Sequence, residues 1–384
     1  MLRSAGTPAP PSNEPAGAPS PSALADDAFY QPVVELGRRA GAAGLTQAYC
    51  IHGSFAGNDP LGLVTELSRF LPAVGSQLAA WGKRSVDWAA GELGNFTTDY
   101  CQRLERGLSA GAGRRIPVGL FHWSSQNNHI GRADGAVRLL DELARLGERR
   151  PAVADDRKTP RVLLWAHSHG GNVLALTTCL LAADAAAREE FFGVCRAFYQ
   201  RWCLPGHDLP HWVRVRDLLA REDHPLRRFA FDLATFGTPI RYGWRLRDSD
   251  SLVHWVNHRP AAGLPEYRAF FSQDPRRILQ ATDGDYVQQL GIAGTNLPPN
   301  PAALRTVLAD RRLGRLLERD LPRESLIDRW QRGMRVADAG LALLVDYQEP
   351  RGNPLTLVAG HAVYTRSAWL PFHCRQLADA CFPQ

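Results

Sequence analysis

In Trp165-Ala166-His167-Ser168-His169-Gly170-Gly171, a serine sits with small residues two positions before it and two after it. Small residues are needed there when the backbone turns sharply from a strand into a helix, because those two positions then crowd each other. Alanine is the least intrusive replacement for the glycine that usually fills the first of them. A serine on such a turn stands at the N-terminus of the following helix. That end offers free N–H groups and a positive dipole to a developing oxyanion. The chemistry this permits is nucleophilic attack by the hydroxyl on an acyl carbon, with a histidine taking the proton. The plain alternative is a serine in an ordinary strand-to-helix turn.

Three further segments bear on the choice. Cys50-Ile51-His52-Gly53-Ser54-Phe55 closes a strand-like run and, read alone, is a tight turn that needs its glycine. Thr235-Phe236-Gly237-Thr238-Pro239 ends another, and its Gly and Pro would stop a strand and turn the chain. His122-Trp123-Ser124-Ser125-Gln126-Asn127 follows a third. Taken together with the serine motif, these segments make residues 45–365 resemble the lipase-like α/β-hydrolases, His122–Asn127 being similar to a segment of uncharacterised bacterial members. The resemblance is specific for the superfamily and says little about substrate.

The resemblance implies a mainly parallel central sheet flanked by helices, with a cap-like insertion. It also implies a serine hydrolase acting on carboxylic esters, esterase- or lipase-like, with Ser168 as nucleophile and no cofactor or metal. The oxyanion hole would be the backbone N–H groups of Ser54 and His169. Family chain order is Ser, then acid, then His, so the remaining members lie downstream. Asp285, in Asp283-Gly284-Asp285-Tyr286-Val287, resembles the family's post-strand G-x-x-D-x-V segment, although here the glycine directly precedes the aspartate. Asp283 and Asp346 stay open as alternatives. His361, in Gly360-His361-Ala362-Val363-Tyr364, resembles the last-strand loop and is the expected base, with His373 as its competitor. His167 and His169 flank the serine but should point away from its hydroxyl, and His254 and His258 precede the acid. Thioesterases, amidases and acyltransferases use the same triad. A non-catalytic hydrolase-fold binding protein would be marked by a lost nucleophile, acid or base.

The elements expected to position these residues alternate strand and helix. Strands are read at 45–51, 116–123, 162–166, 229–236, 278–282, 341–346 and 355–359. Helices are read over much of 63–108, at 136–146 with apolar residues at i, i+3, i+4 and i+7, and at 172–181. Val162–Ala166 is wholly apolar, as a strand buried on both faces should be. One domain, 26–384, follows a Pro/Ala/Ser-rich tail, 1–25, whose composition predicts disorder. Two stretches exceed the alternation: 186–228, a lid or cap insertion, and 300–335, charged and helical. Phe191, Phe192, Phe198, Tyr199, Trp202 and Trp212 of the first would line an acyl pocket or form the insertion's own core; if exposed, they would point to a lipid substrate.

Composition narrows the classes. The net charge of +6 rests on arginine, since Lys83 and Lys158 are the two lysines. The arginines alternate with Asp and Glu, as in Glu318-Arg319-Asp320, which reads as solvated helix faces and not as a nucleic-acid site. Seven scattered cysteines without C-x-x-C spacing fit a reducing compartment, with the cytoplasm as the expected location, and argue against a zinc site. No apolar run is long enough for a transmembrane helix and no signal peptide is evident, while peripheral contact with a membrane stays open. The expected partner is a small-molecule or lipid ester; oligomeric state is not readable.

Overall fold

The computed structural model describes residues 13–17, 27–54, 94–149, 158–200, 208–239, 241–294, 296–319, 339–348 and 358–383. A short strand, β1 (Asn13–Gly17), precedes helix α1 (Asp27–Ala42), strand β2 (Leu45–Ile51), helix α2 (Thr98–Ala112) and strand β3 (Val118–Phe121). There follow α3 (His129–Arg149), β4 (Arg161–His167), α4 (His169–Ala182), α5 (Ala185–Tyr199) and α6 (Pro210–Leu219). Strands β5 (Ala230–Phe236) and β6 (Ser251–Asn257) lead to α7 (Pro275–Leu279), α8 (Tyr286–Gly294) and α9 (Leu304–Leu317). The chain closes with β7 (Leu341–Gln348) and α10 (Leu370–Cys381).

Strands β2 to β7 form a sheet in the order β3-β2-β4-β5-β6-β7, every neighbouring pair parallel, with β1 added at the β7 edge. The molecule is thus an α/β protein. Strands β4, β5 and β6 are buried on both faces because each side chain in turn meets a different helical layer. Along β4, Val162, Leu164 and Ala166 join the core cluster that includes α3 to α6 and α9. Leu163 and Trp165 join the opposite cluster, with α1, α2 and α10. From β2 the chain moves outward to β3, whereas from β4 it moves the other way to β5. The C-terminal ends of β2 and β4 therefore flank the point where strand order reverses, the place where open α/β sheets leave a crevice for a ligand. Both motif segments end there.

Several expectations need correction. Residues 278–282 are not a strand: Pro275–Leu279 is a short helix, started by Asp274, whose side chain accepts from Arg276 N at 2.9 Å, and by Pro275 at its first position. A strand that the sequence reading did not place, β6, takes the position beside β5. Of the expected strand 355–359, residues 355–357 lie outside the described residues, and Val358–Gly360 is a 3-10 turn with Ala359 at φ 50°. Within the tail expected to be disordered, Asn13–Gly17 pairs with β7, and Pro15 is tolerated because the strand has only one neighbour. The rest of 1–25, and the expected helical stretch 63–93, lie outside the described residues.

The aromatic insertion resolves towards a core. Phe191, Phe192, Phe198, Tyr199 and Trp212 are buried. Trp212 stacks on Tyr199 at 5.1 Å and on Phe191 at 6.1 Å, and its indole donates to Asp134 of α3 at 2.8 Å. These rings belong to the main core and are not an exposed apolar surface; Trp202 lies outside the described residues. Among the described residues no helix is long and apolar enough to cross a membrane.

Candidate active site

Ser168 joins β4 to α4 directly and has φ 54°, ψ −131°. Positive φ is disfavoured for any residue with a Cβ and costs about 1–3 kcal/mol, so it persists only where the surroundings enforce it. They do so through missing side chains. A Cβ on Gly170 would meet His52 O at 2.7 Å, and one on Gly171 would meet Thr238 Oγ1 at 2.1 Å. The loop after β2 lies against the serine itself: a Cβ on Gly53 would stand 2.6 Å from Ser168 Cβ and 3.2 Å from its Oγ. Ser54, the expected partner of His169 in the oxyanion hole, is the next residue. The loop is held from outside by Trp123, whose indole donates to His52 O at 2.9 Å and stacks on the His52 ring at 5.9 Å. That assigns a physical role to the His122–Asn127 segment.

His361 and Asp285, expected as base and acid, are brought together. His361 Nδ1 donates to Asp285 Oδ2 at 2.7 Å, with both side chains buried. Asp285 Oδ2 also accepts from Tyr364 Oη at 3.0 Å, and its Oδ1 accepts from Gln288 N at 2.8 Å. The latter is a capping contact at the start of α8. Burial and the Asp285 charge push the Tyr364 hydroxyl well above its ordinary value, so it stays protonated and donating. Its oxygen in turn accepts from Asn257 N at 2.7 Å. The acid loop is docked on the C-terminal end of β6: Asp285 N donates to Asn257 O at 3.0 Å, and His258 pairs antiparallel with Gly284. Gly284, at φ 113°, is required there because a Cβ would lie 2.3 Å from Asn257 O.

The alternatives are engaged elsewhere. Asp283 accepts from Arg277 Nη2 at 2.9 Å and from the Tyr286 hydroxyl. Asp346, on β7, pairs with Arg259 Nε at 2.6 Å. His373 lies on α10 beneath the sheet, where its Nε2 meets the Tyr347 hydroxyl at 2.7 Å. His254 contacts Thr235 Oγ1 and Ala339 O within the sheet.

Several contacts tie the two halves of the site together. His167 Nε2 donates to His361 O at 3.0 Å and so ties the histidine loop to β4. The Thr235–Pro239 segment braces both sides: Gly237, at φ 56°, packs where a Cβ would stand 2.7 Å from Asp285 Oδ2, and Thr238 packs on Gly171. Gln288 Nε2 donates to Thr238 O at 3.2 Å. His361 Nε2 is buried and has no hydrogen-bond partner among the described residues, so it is not bonded to Ser168 Oγ in this structure. Such bonds are commonly long without substrate and tighten when it binds.

His169, next to the serine, turns away from it. Its Nδ1 accepts from Asn172 Nδ2 at 3.0 Å and from Arg132 Nη1 at 3.4 Å. Burial, followed by Arg132 and Arg241, keeps the ring well below its ordinary value and therefore neutral. Among the described residues no group of three His, Cys, Asp or Glu could hold a metal ion. Sequence reasoning missed Tyr364, Trp123, Asn172 and Arg132; the first two lay within segments already singled out, and the others carried no local signal.

Two histidines make a prediction about stability. Burial pushes His373 down to about 3, and burial with the neighbouring His361 does the same for His167. In the unfolded chain both would titrate near 6.5. The unfolded state therefore binds their protons first as pH falls, and stability drops from about pH 6.5 downward. The combined slope approaches about 3 kcal/mol per pH unit. Urea melts at pH 7, 6 and 5 should show the midpoint falling steadily; a flat midpoint over that range would remove this account.

No family model, curated protein or solved structure matches this chain.

Proposed function

We propose that this chain is a serine hydrolase of the α/β-hydrolase type that cleaves carboxylic esters through Ser168, His361 and Asp285. The observation that carries the reading is a pairing of two features. A serine is strained onto a strand-to-helix turn at the crevice of a parallel sheet, and a buried His361–Asp285 hydrogen bond of 2.7 Å is tied to the same strand end.

In this mechanism His361 Nε2 takes the Ser168 proton as Oγ attacks the acyl carbon. The C–O bond to the alcohol then breaks, and His361 returns the proton to the departing oxygen. Asp285 fixes the tautomer by accepting from Nδ1–H and stabilises the imidazolium. Backbone N–H groups of Ser54 and His169 bind the tetrahedral oxyanion, each such donor typically contributing about 3 kcal/mol. Water, activated by His361, hydrolyses the acyl-enzyme. Thioesters and acyl transfer are open to the same residues.

The test is covalent. Incubation of the full chain with a fluorophosphonate probe, followed by peptide mass spectrometry, should place the adduct on Ser168 and should leave Ser168→Ala unlabelled. A second reading is a hydrolase-fold binding protein without turnover. Folded protein that takes no label would support it.

A further inference from the structure

Against the first turn of the helix that follows Ser168 lie two arginines that ester cleavage itself does not use. Arg132, on α3, is completely buried. Among the described residues its guanidinium meets neutral groups: Nε donates to Tyr242 Oη at 2.8 Å, Nη1 to Asn127 Oδ1 at 2.9 Å and Nη2 to Asn296 Oδ1. Among the described residues no carboxylate pairs with it. The nearest in effect, Asp310, accepts from Ile130 N at 2.9 Å, and burial raises its own carboxyl, which weakens it as a counter-charge.

Arg241 is close to a second uncompensated charge. Its side chain is 11% exposed and its Nη2 donates to Glu318 at 3.0 Å, but Glu318 is half in solvent. The Nε and Nη1 of Arg241 are buried and have no hydrogen-bond partner among the described residues. The two guanidinium groups press on each other and on the same neighbours: Arg241 contributes to lowering Arg132, and both act on His129 and His169. His129 is pushed down to about 3 by burial and by these arginines, and it is therefore neutral and adds no charge of its own. Two like charges in one dry region, with unused donors, are costly unless an anion joins them.

Both arginines are tied to the first turn of the helix that begins at Ser168. Arg132 Nη1 reaches His169 Nδ1, and Arg241 N donates to Asn172 Oδ1 at 3.0 Å. We propose that Arg241 and Arg132 form an anion subsite beside Ser168, so that the favoured substrates are esters carrying a carboxylate or phosphate on the part held there. The proposal rests on the serine-hydrolase reading for its substrate, but not for the anion site itself. Arg241 supplies the free donors, and Arg132 supplies field from behind, through a guanidinium already filled by Asn127, Asn296 and Tyr242. The shared chemistry is a small oxyanion, whether part of the substrate or free.

The experiment compares mono-p-nitrophenyl succinate with p-nitrophenyl butyrate, esters of equal chain length that differ in one terminal carboxylate. Wild type should favour the succinate in kcat/KM by about 10-fold or more, and Arg241→Gln should reduce that ratio by about 10-fold. Taking the ratio divides out any general loss in the variant, and Arg241→Lys should restore part of the preference. Inorganic phosphate should compete with the succinate ester and raise the Tm of wild type more than that of Arg241→Gln. A ratio near one that Arg241→Gln leaves unchanged would overturn the substrate assignment. A phosphate effect on Tm without any ester preference would overturn it as well and leave a free-anion site. If Ser168 takes no fluorophosphonate and neither ester is cleaved, the hydrolase reading fails. The phosphate Tm comparison would still decide the subsite, and equal shifts in wild type and Arg241→Gln would overturn it.

Discussion

His361→Ala should lower kcat for p-nitrophenyl ester hydrolysis by a factor of about 10^6, close to the loss expected for Ser168→Ala, and the double variant should lose hardly more. The reason is that nucleophile and base act as one unit: without the base, the Ser168 hydroxyl is as poor a nucleophile as any other. His167 provides the discriminating comparison. Its ring centroid is 4.6 Å from that of His361, so proximity alone does not choose between the two. Hydrogen bonding does. Among the described residues each ring keeps one unpartnered nitrogen, His167 Nδ1 and His361 Nε2, but the other nitrogen of His361 is held by a carboxylate that stabilises an imidazolium, whereas that of His167 meets only the His361 carbonyl. His167→Gln removes a positioning contact and should cost less than about 100-fold. Steady-state kinetics on the two variants, with circular dichroism to establish folding, decide the matter. Equal losses in both would withdraw the role given to His361.

The positions of Ser168 and His361 were legible because each carries a local signature. A serine between small residues needs only its own strand and helix to be placed, and β4 and α4 form where the apolar run and the glycines predict. Asp285, proposed as the acid, does meet His361, but not for the reason that pointed to it. Residues 278–282 have the apolar pattern of a strand leading into the Asp285 loop, yet Asp274-Pro275 starts a helical turn there. Asp285 docks instead on the end of β6, whose last residue, Asn257, accepts from Asp285 N across a long excursion of chain. A non-local backbone bond of that kind leaves no trace in spacing. The same limit applies to Arg132, which looks like one surface arginine among many until α3, the Tyr242 loop and Asn296 close over it. The aromatic run 191–212 was ambiguous for a different reason: a lid and a core need the same side chains, and only packing on Asp134 and α3 separates them.

Asp285→Asn should reduce kcat by about 10^4-fold while leaving the protein folded. In the native site the carboxylate takes three donors: His361 Nδ1–H and the Tyr364 hydroxyl on Oδ2, and Gln288 N on Oδ1. The capping bond from Gln288 requires an oxygen at Oδ1, so asparagine will keep its oxygen there and turn its NH2 towards His361. That amide donates where the carboxylate accepted. His361 must then present a lone pair at Nδ1 and a proton at Nε2, which is the wrong tautomer to accept from Ser168. The cap preserves α8, and the same constraint enforces the catalytic loss. Asp346→Asn breaks a partly exposed pair with Arg259 worth about 1 kcal/mol at most, and should leave kcat almost unchanged. Asp283→Asn weakens the contacts to Arg277 and Tyr286 and should appear in the urea midpoint before it appears in kcat. Measured side by side, the three variants separate a carboxylate that orients the base from two that hold the chain. A loss in Asp283→Asn or Asp346→Asn as deep as that in Asp285→Asn would transfer the role.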